Sequence, residues 1–277
     1  MTNRQILDEL KRKLVSAGID EASNDSWLLF SRVTGMSRTD YLLRADKEWE
    51  ISFSEKLSKA AERRCRREPV QYILGRAYFM GFEFDVEPCV LIPRFDTEVL
   101  VGEALADAGE NSEVLDMCTG SGCIAISVAL LSKVRRVTGA DISDAALLVA
   151  ERNRAKLDAD NVNFIKSDMF GSISGAYDMI LSNPPYIKSG DIEGLMSEVK
   201  DCEPRLALDG HEDGLFFYRI LAKEGIGHLK PGGHIIMEIG CEQAEQVSGL
   251  LEQYNYTDVR VIKDLAGLDR VVRGRRI

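Results

Sequence analysis

Between residues 113 and 239 the chain alternates short apolar runs, rich in β-branched residues, with stretches of helical periodicity. This alternation predicts an α/β fold with a doubly wound, mainly parallel sheet and a ligand crevice at the carboxyl ends of the strands. The predicted strands are 113–117, 136–140, 162–165, 177–181 and 233–239, and the predicted helices are 124–131, 145–157 and 215–228. Two further runs, 256–262 and 270–275, are expected to form an antiparallel edge hairpin.

The first 93 residues follow other patterns. From Ile6 to Arg67 the apolar residues recur at spacings of three and four, which predicts a small helical bundle. Between Gln71 and Pro93 short alternating apolar stretches are broken by glycine and proline, which predicts a connecting β-hairpin. We therefore divide the chain into a helical domain at 1–70, a hairpin at 71–93 and a Rossmann-like α/β domain at 94–277.

The charge of the chain argues against a nucleic-acid partner. Its net charge of −10 opposes binding to a polyanion. Residues 1–85 carry 15 Lys and Arg against 14 Asp and Glu, whereas the remainder carries 20 against 31, so the acidity belongs to the C-terminal part. Four arginines between Ala60 and Arg67 are interpreted as a solvated helix face, with a basic docking surface as the alternative.

Cysteine and histidine spacing predicts no metal site. The six cysteines include no C-x-x-C pair, so we expect neither a zinc site nor a disulfide framework. The histidines at 211, 228 and 234 are not clustered and are expected at the surface or at helix ends, without chemistry. The first residues lack the apolar core of a secretory signal, and no apolar run approaches the roughly 18 residues of a membrane span. These features predict a cytoplasmic protein without a membrane partner.

A glycine-bearing turn follows the first predicted strand, in the segment VLDMCTGSGCIAI. Asp116 lies at the strand end, and Gly120 and Gly122 allow the backbone to approach a ligand closely. A dinucleotide fold usually has a third glycine, and a carboxylate here would repel a pyrophosphate, but it suits a cationic ligand such as S-adenosylmethionine. Taken alone, the turn is weak evidence, and an ordinary glycine-rich loop is the alternative.

Two more acidic residues follow predicted strands. Asp141 ends the strand VTGAD, where its carboxylate is predicted to accept hydrogen bonds from both ribose hydroxyls of such a ligand. An exposed strand-end aspartate without a ligand is the alternative. Asp168 is predicted beside the adenine amino group, with Met169 as a wall of the base site. Phe170 suits such a wall and the protein core equally well.

The tetrapeptide Asn183-Pro184-Pro185-Tyr186 directly follows the apolar strand YDMILS, at the same edge of the sheet. Two prolines fix φ near −65° and remove two N–H donors, so the loop presents carbonyl acceptors. A planar NH₂ is a poor nucleophile because its lone pair is delocalised. Hydrogen bonds to the Asn183 oxygen and the Pro184 carbonyl would orient it, and Tyr186 would stack on it. A structural turn is the alternative.

At this point the sequence resembles the PrmC/HemK family of protein-(glutamine-N5) methyltransferases, which act on peptide chain release factors. The resemblance covers nearly the whole chain and follows the family's order of motifs. The matching stretches are PVQYILG, VLIPRFDTE, VLDMCTGSGCIAI, SNPPYI, EPRLAL, DGLFFYR, LKPGGHIIMEIG and DLAGLDRVVRGR. It implies methyl transfer from S-adenosylmethionine to the glutamine of the release factor's Gly-Gly-Gln loop, with S-adenosylhomocysteine as product and the helical domain helping to hold the release factor.

The resemblance also implies a set of site residues. We assign the cofactor pocket to Asp116, Cys118, Thr119, Gly120, Ser121, Gly122, Asp141, Ile142, Asp168, Met169 and Asn183. Asn183, Pro184 and Tyr186 are assigned to catalysis, and the substrate site to Asn183, Pro184, Pro185, Tyr186, Arg94 and Glu98. For Arg94 and Glu98 an ordinary salt bridge is the alternative. Cys118 replaces the family's usual glycine and Phe95 its usual proline, which casts doubt on any role of residue 118 that needs a positive φ.

Three other functions remain open. An adenine amino methyltransferase on DNA or RNA would use the same tetrapeptide, but the charge and the approximately neutral first 85 residues disfavour it. Methylation of another protein amide, for instance on a ribosomal protein, would need much the same motif. A degenerate fold acting as an adaptor is opposed by the intact Asp116, Asp141 and Asn183. We expect a monomer.

Overall fold

A computed structural model describes all residues from 1 to 277, and they separate into two compact units. The first comprises Met1–Arg76 together with Met196–Cys202. Its helices are α1 (Asn3–Ser16), α2 (Ala22–Thr34), α3 (Arg38–Arg44), α4 (Ser54–Cys65) and α5 (Val70–Leu74), to which the returning segment adds a short helix at Ser197–Lys200. The predicted helical bundle is confirmed.

The first unit is held by one apolar core and one buried ion pair. Leu14 and Phe30, fully buried, lie at the centre of the core, where the apolar faces of α1, α2 and α4 meet. The Arg64 guanidinium donates to Asp25 Oδ2 at 2.7 Å and contacts Glu198 of the returning segment at 3.3 Å. Arg64 is therefore buried, and only part of the four-arginine stretch is a solvated face.

The second unit comprises Ala77–Leu195 and Glu203–Ile277 and contains a seven-stranded sheet. Its elements as far as β6 are β1 (Arg76–Phe79, which begins at the boundary between the units), β2 (Phe82–Asp85), α6 (Glu98–Asp107), β3 (Glu113–Met117), α7 (Cys123–Leu131), β4 (Arg136–Asp141), α8 (Asp144–Lys156), β5 (Val162–Lys166) and β6 (Tyr177–Ser182). The helix of the returning segment, Ser197–Lys200, comes next in the chain and is numbered α9. The second unit then continues with α10 (Phe216–His228), β7 (Leu229–Glu238), α11 (Ala244–Gln253), β8 (Tyr256–Lys263) and β9 (Asp269–Arg276).

The strand order β5-β4-β3-β6-β7-β9-β8 confirms the predicted doubly wound sheet. The first five of these strands pair in parallel, and β9 and β8 close one edge in antiparallel pairing, as the C-terminal hairpin predicted. β4 and β5 lie on one side of β3, whereas β6 and β7 lie on its other side. The order in which strands are added to the sheet therefore reverses between β3 and β6. A crevice opens at such a point, outside the carboxyl ends of the strands.

Both faces of the sheet are covered, so the central strands are mainly apolar, with Asp116 of β3 as a buried exception. Buried residues of α6 and α7 form a core with one face, and those of α10 and α11 form a core with the other. None of the helices combines the length and apolarity that a membrane crossing needs.

The segment 71–93 differs in part from the predicted hairpin. Residues 70–74 form helix α5, which ends at Gly75 in the left-handed conformation, φ +72°. The two-stranded sheet of β1 and β2 follows, but the apolar stretch 89–93 is a loop. Pro88 precedes this stretch and Pro93 ends it, and neither has an N–H group to donate to a ladder, which disfavours strand pairing here.

Candidate active site

A cavity of about 700 Å³ opens in the second unit, at the carboxyl ends of β3, β4, β5 and β6. Its size and position suit a cofactor together with a small part of a substrate. Among the predicted site residues, the cavity is lined by Cys118, Thr119, Gly120, Ser121, Asp141, Ile142, Asp168, Met169, Asn183, Pro185 and Arg94. The other five predicted site residues do not line the cavity: Asp116, Gly122, Pro184, Tyr186 and Glu98.

The glycine turn after β3 is held by hydrogen bonds to carboxylates at two strand ends. The Thr119 hydroxyl donates to Asp116 Oδ2 at 2.5 Å, and the Gly120 N–H donates to Asp141 Oδ2 at 2.9 Å. Gly122 is the N-cap residue of α7, with φ +80°, and a Cβ there would lie 2.8 Å from the Phe164 ring. Gly122 is thus needed for close packing, which explains why it does not face the cavity.

Cys118 has a positive φ, the backbone conformation that its side chain makes unfavourable. Its φ is +64°, in the left-handed region, where a side chain is disfavoured by roughly 1–3 kcal/mol. The turn therefore keeps the same geometry that a glycine would provide, at the expense of local strain. Burial, together with the neighbouring Asp141 and Asp116, raises the pKa of the Cys118 thiol, so it stays protonated.

Asp116 is fully buried behind the turn. Its Oδ2 atom accepts from Thr119 and from the Ala125 N–H at 3.2 Å, whereas Oδ1 has no hydrogen-bond partner. Burial raises the pKa of this carboxyl to about 7, because the charged form loses its hydration. Asp116 thus orients the turn and keeps one unsatisfied acceptor oxygen directly behind the cavity wall.

Asp141 reaches the cavity from the end of β4. Its two oxygens accept from backbone groups, Oδ2 from Gly120 and Oδ1 from the Ser143 N–H at 2.9 Å. Burial raises its pKa, although these backbone hydrogen bonds oppose the shift. Asp168 and Met169 line the cavity beyond β5. Phe170 instead belongs to the core and stacks on the His228 ring at 4.9 Å.

The loop from Asn183 to Tyr186 follows β6 and is fixed at both ends. At its start, Asn183 Nδ2 donates to Thr97 Oγ1 at 3.2 Å. At its end, Gln243 Nε2 donates to the Tyr186 carbonyl at 3.1 Å and to the Gly214 carbonyl at 3.2 Å. The backbones pass so closely that a Cβ on Gly214 would lie 2.5 Å from the Tyr186 oxygen.

Tyr186 is mostly buried and does not line the cavity, so in this conformation its ring is not placed to stack on a target amide there. Its ring packs in the core of the second unit, and its hydroxyl donates to Glu238 Oε1 at 3.5 Å. Burial and the adjacent Glu238 raise the pKa of this phenol. The side chain is turned inward because its hydroxyl finds a buried acceptor there.

Glu238 was not singled out from the sequence. It ends β7, is buried, and its pKa is raised by that burial to about 7. Its Oε1 atom accepts from the Tyr186 hydroxyl at 3.5 Å, whereas Oε2 has no hydrogen-bond partner. The detectable signal was an acidic residue at the end of the apolar strand IIMEIG.

Arg94 and Glu98, which were expected to border the site, have different partners. Arg94 lines the cavity and donates to Glu203 Oε2 at 2.6 Å; Glu203 is buried, which raises its pKa. Glu98 instead accepts the Met80 N–H at 2.7 Å and lies away from the cavity. The salt bridge is therefore between Arg94 and Glu203, and a substrate contact by Glu98 is not supported, because its carboxylate satisfies a backbone donor.

Of the histidines, His211 lines the cavity beside Phe216, with ring centroids 4.3 Å apart. His228 stacks on Phe170, and His234 lies 3.2 Å from Asp107. These three side chains thus serve packing and surface pairing in different places. No group of three or more His, Cys, Asp and Glu side chains has the arrangement of a metal site.

The sheet order, the glycine turn and the cavity at the strand ends define a class I methyltransferase. A methyltransferase from Pyrococcus furiosus shares this fold, with a TM-score of 0.56 and 19% identity over 79% of this chain and 98% of that one. Residues 5–75 match the PrmC N-terminal domain family, and residues 94–211 match the methyltransferase small domain family.

Two relatives identify the particular family. A release factor glutamine methyltransferase from Geobacter sulfurreducens is 39% identical over 99% of this chain and 96% of its own length. One from Caulobacter vibrioides is 40% identical over 95% of this chain and 93% of its own length. The chain belongs to the family of release factor glutamine methyltransferases, and the resemblance inferred from its motifs is confirmed.

Proposed function

We propose that this protein transfers a methyl group from S-adenosylmethionine to the side-chain amide nitrogen, N5, of the glutamine in the Gly-Gly-Gln loop of a peptide chain release factor. The observation that carries the proposal is that Asn183 and Pro185 line the same cavity as the glycine turn and Asp141. Acceptors for a planar NH₂ and a turn suited to a cofactor therefore meet in one space. Family membership supports a release-factor glutamine as the target.

The cavity residues fit S-adenosylmethionine and its product S-adenosylhomocysteine. The unpartnered Oδ1 of Asp116 favours a cation in the adjoining space. At Gly120 nothing lies within 4 Å of the Cβ position, so the turn leaves room for a ligand. The Asp141 oxygens each receive one N–H and keep further lone pairs for ribose hydroxyls. We assign the adenine end to Ile142, Asp168 and Met169.

The chain's own contribution to the reaction is orientation. When bound, S-adenosylmethionine would supply a methyl group on a positively charged sulfur, and the neutral thioether of S-adenosylhomocysteine would be an excellent leaving group. Asn183 Oδ1, which lines the cavity, would accept one N–H of the target amide, raise the electron density on its nitrogen and direct the lone pair. The Pro184 carbonyl is the predicted second acceptor, although Pro184 does not line the cavity in this structure. Pro184 and Pro185 hold these acceptors rigidly and offer no competing N–H.

We propose that the helical first unit holds the release factor, since residues 5–75 match the PrmC N-terminal domain. Beyond residue 85 the chain carries 31 acidic residues against 20 basic ones, which supports a protein substrate over a nucleic acid. We further propose that the protein acts as a monomer in the cytoplasm, where release factors work.

The test is incubation with methyl-labelled S-adenosylmethionine and a panel of purified substrates. The panel contains a release factor, its variant with alanine in place of the loop glutamine, ribosomal protein and DNA. We expect label on the intact release factor alone. Label on DNA or on the alanine variant would contradict the proposal, and failure to bind S-adenosylmethionine in calorimetry would favour an adaptor without catalysis.

A further inference from the structure

Charged side chains of unequal sign line the cavity. Asp141, Asp168 and Glu224 are acidic, whereas Arg94 is the one lysine or arginine among the lining residues. The methionine end of S-adenosylmethionine carries an ammonium group and a carboxylate. The carboxylate needs a donor of opposite charge, because an unpaired buried charge is costly, and the acidic side chains repel it. Arg94 is therefore the matching partner for an anionic group in this cavity.

Arg94 lies at the end of the cavity where methyl transfer is proposed. Its carbonyl accepts the Thr97 N–H at 3.1 Å, and the Thr97 hydroxyl accepts from Asn183 Nδ2 at 3.2 Å. Asp141 and Asp168, assigned to the ribose and the adenine, lie at the end of β4 and after β5, on the far side of β3 from Asn183. Arg94 is thus placed toward the methionine end of a bound cofactor and away from its adenine end.

Glu203 fixes the Arg94 guanidinium and leaves part of it free. Arg94 Nη2 donates to Glu203 Oε2 at 2.6 Å, and the Ile92 N–H donates to Glu203 Oε1 at 3.4 Å. The Glu203 side chain is 1% exposed, whereas that of Arg94 is 39% exposed. The Arg94 side chain makes no other hydrogen bond within the protein, so most of its N–H groups remain available to a ligand.

We propose that Arg94, positioned by Glu203, binds the carboxylate at the methionine end of S-adenosylmethionine. The inference rests on the proposed function, which takes this compound as the methyl donor, and it assigns Arg94 to the cofactor and not to the target glutamine. A guanidinium presents its N–H groups in a planar fork that matches a carboxylate, and one already held by Glu203 loses less freedom on binding. The glycine turn suits the ammonium group, because Asp116 and Asp141 lie against it.

The test uses two ligands that differ only in this carboxylate. S-adenosylhomocysteine has it, whereas decarboxylated S-adenosylhomocysteine has a hydrogen in its place and keeps the amine. Calorimetric titration gives the Kd of each ligand without release factor and without turnover. We expect the wild-type protein to bind the decarboxylated ligand roughly tenfold more weakly, or weaker still, because a charge-assisted hydrogen bond is lost. Equal Kd values in the wild type would overturn the inference.

Arg94→Gln tests which side chain recognises the carboxylate. We expect it to bind S-adenosylhomocysteine roughly tenfold more weakly than the wild type does and the decarboxylated ligand about equally well, so that the preference disappears. Arg205→Gln is the matched control, because Arg205 pairs with Asp209 and Glu193 at the surface and does not line the cavity. It should keep the wild-type preference. A preference that survives in Arg94→Gln, or that is lost equally in Arg205→Gln, would overturn the inference.

A second variant guards against misfolding, because Arg94→Gln leaves the buried Glu203 without its cationic partner. The double variant of Arg94→Gln with Glu203→Gln removes both charges, and circular dichroism reports whether each variant is folded. The double variant should bind the two ligands with Kd values within about twofold of each other. A roughly tenfold preference in this variant would count against Arg94 as the partner of the carboxylate.

The positioning role of Glu203 is tested by comparing Glu203→Gln with Glu203→Ala. Glutamine keeps an oxygen that accepts from Arg94 and should retain most of the preference, whereas alanine frees the guanidinium and should reduce the preference several fold. General damage to the cavity would weaken the binding of both ligands equally and leave their Kd ratio unchanged. An unchanged ratio in Glu203→Ala would therefore refute the positioning role.

The same measurements separate this inference from the proposed function. A wild-type protein that binds S-adenosylhomocysteine but does not methylate a release factor would contradict the proposed function, and the Kd values would still test Arg94. If Arg94 instead held the release factor, the preference for the carboxylate would persist in Arg94→Gln, and only the KM for the release factor would rise. That result would overturn the inference and leave the proposed function intact.

Discussion

Asn183 carries the chemistry at the scale of a single residue, through the oxygen left free by its bond to Thr97. We expect Asn183→Ala to lower kcat by about 10²–10³, the range seen when one preorganised polar group is removed from a transition-state site. Affinity for S-adenosylhomocysteine should change only a few fold, because the glycine turn and Asp141 are untouched. Initial rates with release factor, together with calorimetry and circular dichroism, measure the three quantities. A kcat within twofold of wild type would rule out the proposed role of Asn183.

Asp116 links the site to stability through its pKa of about 7. An unfolded aspartate ionises near pH 4, so between about pH 4 and 7 the folded protein binds the extra proton, and its stability falls as the pH rises. In the ligand-free protein, Asp116→Asn should make this fall less steep by about 1 kcal/mol per pH unit. Denaturation followed by circular dichroism between pH 5 and 8 tests the slope. Identical slopes would mean that Asp116 is ionised throughout.

At this scale the sequence identified residues whose role follows from a strand end, such as Asp141 and Asn183. It missed Thr97, Glu203 and Glu238. Their roles depend on partners far away along the chain: Thr97 lies 86 residues from Asn183, and Arg94 lies 109 residues from Glu203. Local patterns carry no information on which distant side chains meet, and buried acids are unusual enough that an exposed position is the better guess.

Among the elements, the loop after β6 is positioned by its neighbours as much as by its own prolines. A Cβ on Gly214, where φ is +74°, would lie 2.5 Å from the Tyr186 oxygen. We expect Gly214→Ala to displace the loop, lower kcat at least tenfold and destabilise the protein by about 1–3 kcal/mol.

Gly190→Ala is the matched control for this substitution. It lies in the same connection after β6, and nothing stands within 4 Å of its Cβ position. Activity and thermal unfolding of the two variants should diverge clearly. If both variants have the activity and thermal stability of the wild type, the loop tolerates movement and the close packing of Gly214 does not contribute to function.

Strands were the most predictable elements, because continuous apolar runs and the alternation with helices determine a parallel sheet. Short elements were not. Helix α5 has five residues, and a YIL stretch suits a strand as well as a helix, so its tertiary neighbours decide. Helix α6 was not predicted, because adjacent apolar residues and a glycine in EVLVGEALAD give it no clear helical periodicity.

At the scale of the whole molecule, the buried pair of Asp25 and Arg64 stabilises the first unit. Asp25→Ala leaves the Arg64 charge buried without its closest partner, and we expect a loss of about 3–5 kcal/mol. Both tryptophans, Trp27 and Trp49, belong to this unit, so tryptophan fluorescence during urea denaturation reports on it selectively.

The double variant Asp25→Leu with Arg64→Met separates charge burial from packing. It removes both charges while keeping similar volumes, and it should recover much of the stability lost in Asp25→Ala. A double variant as unstable as the single one would show that packing or the contact of Arg64 with Glu198 dominates. The sequence offered no sign of this arrangement, because the segment 196–202 has an ordinary helical composition and its return to the first unit follows from long-range contacts.

That return affects how the protein is made. Ribosomes deliver a chain at about 5–20 residues per second, and N-terminal domains usually fold first. The first unit lacks Met196–Cys202, with Glu198, until roughly 120 residues beyond Arg76 have been synthesised, an interval on the order of ten seconds. We therefore expect the newborn helical bundle to remain incompletely ordered, and open to chaperones, until most of the Rossmann-like sheet has left the exit tunnel.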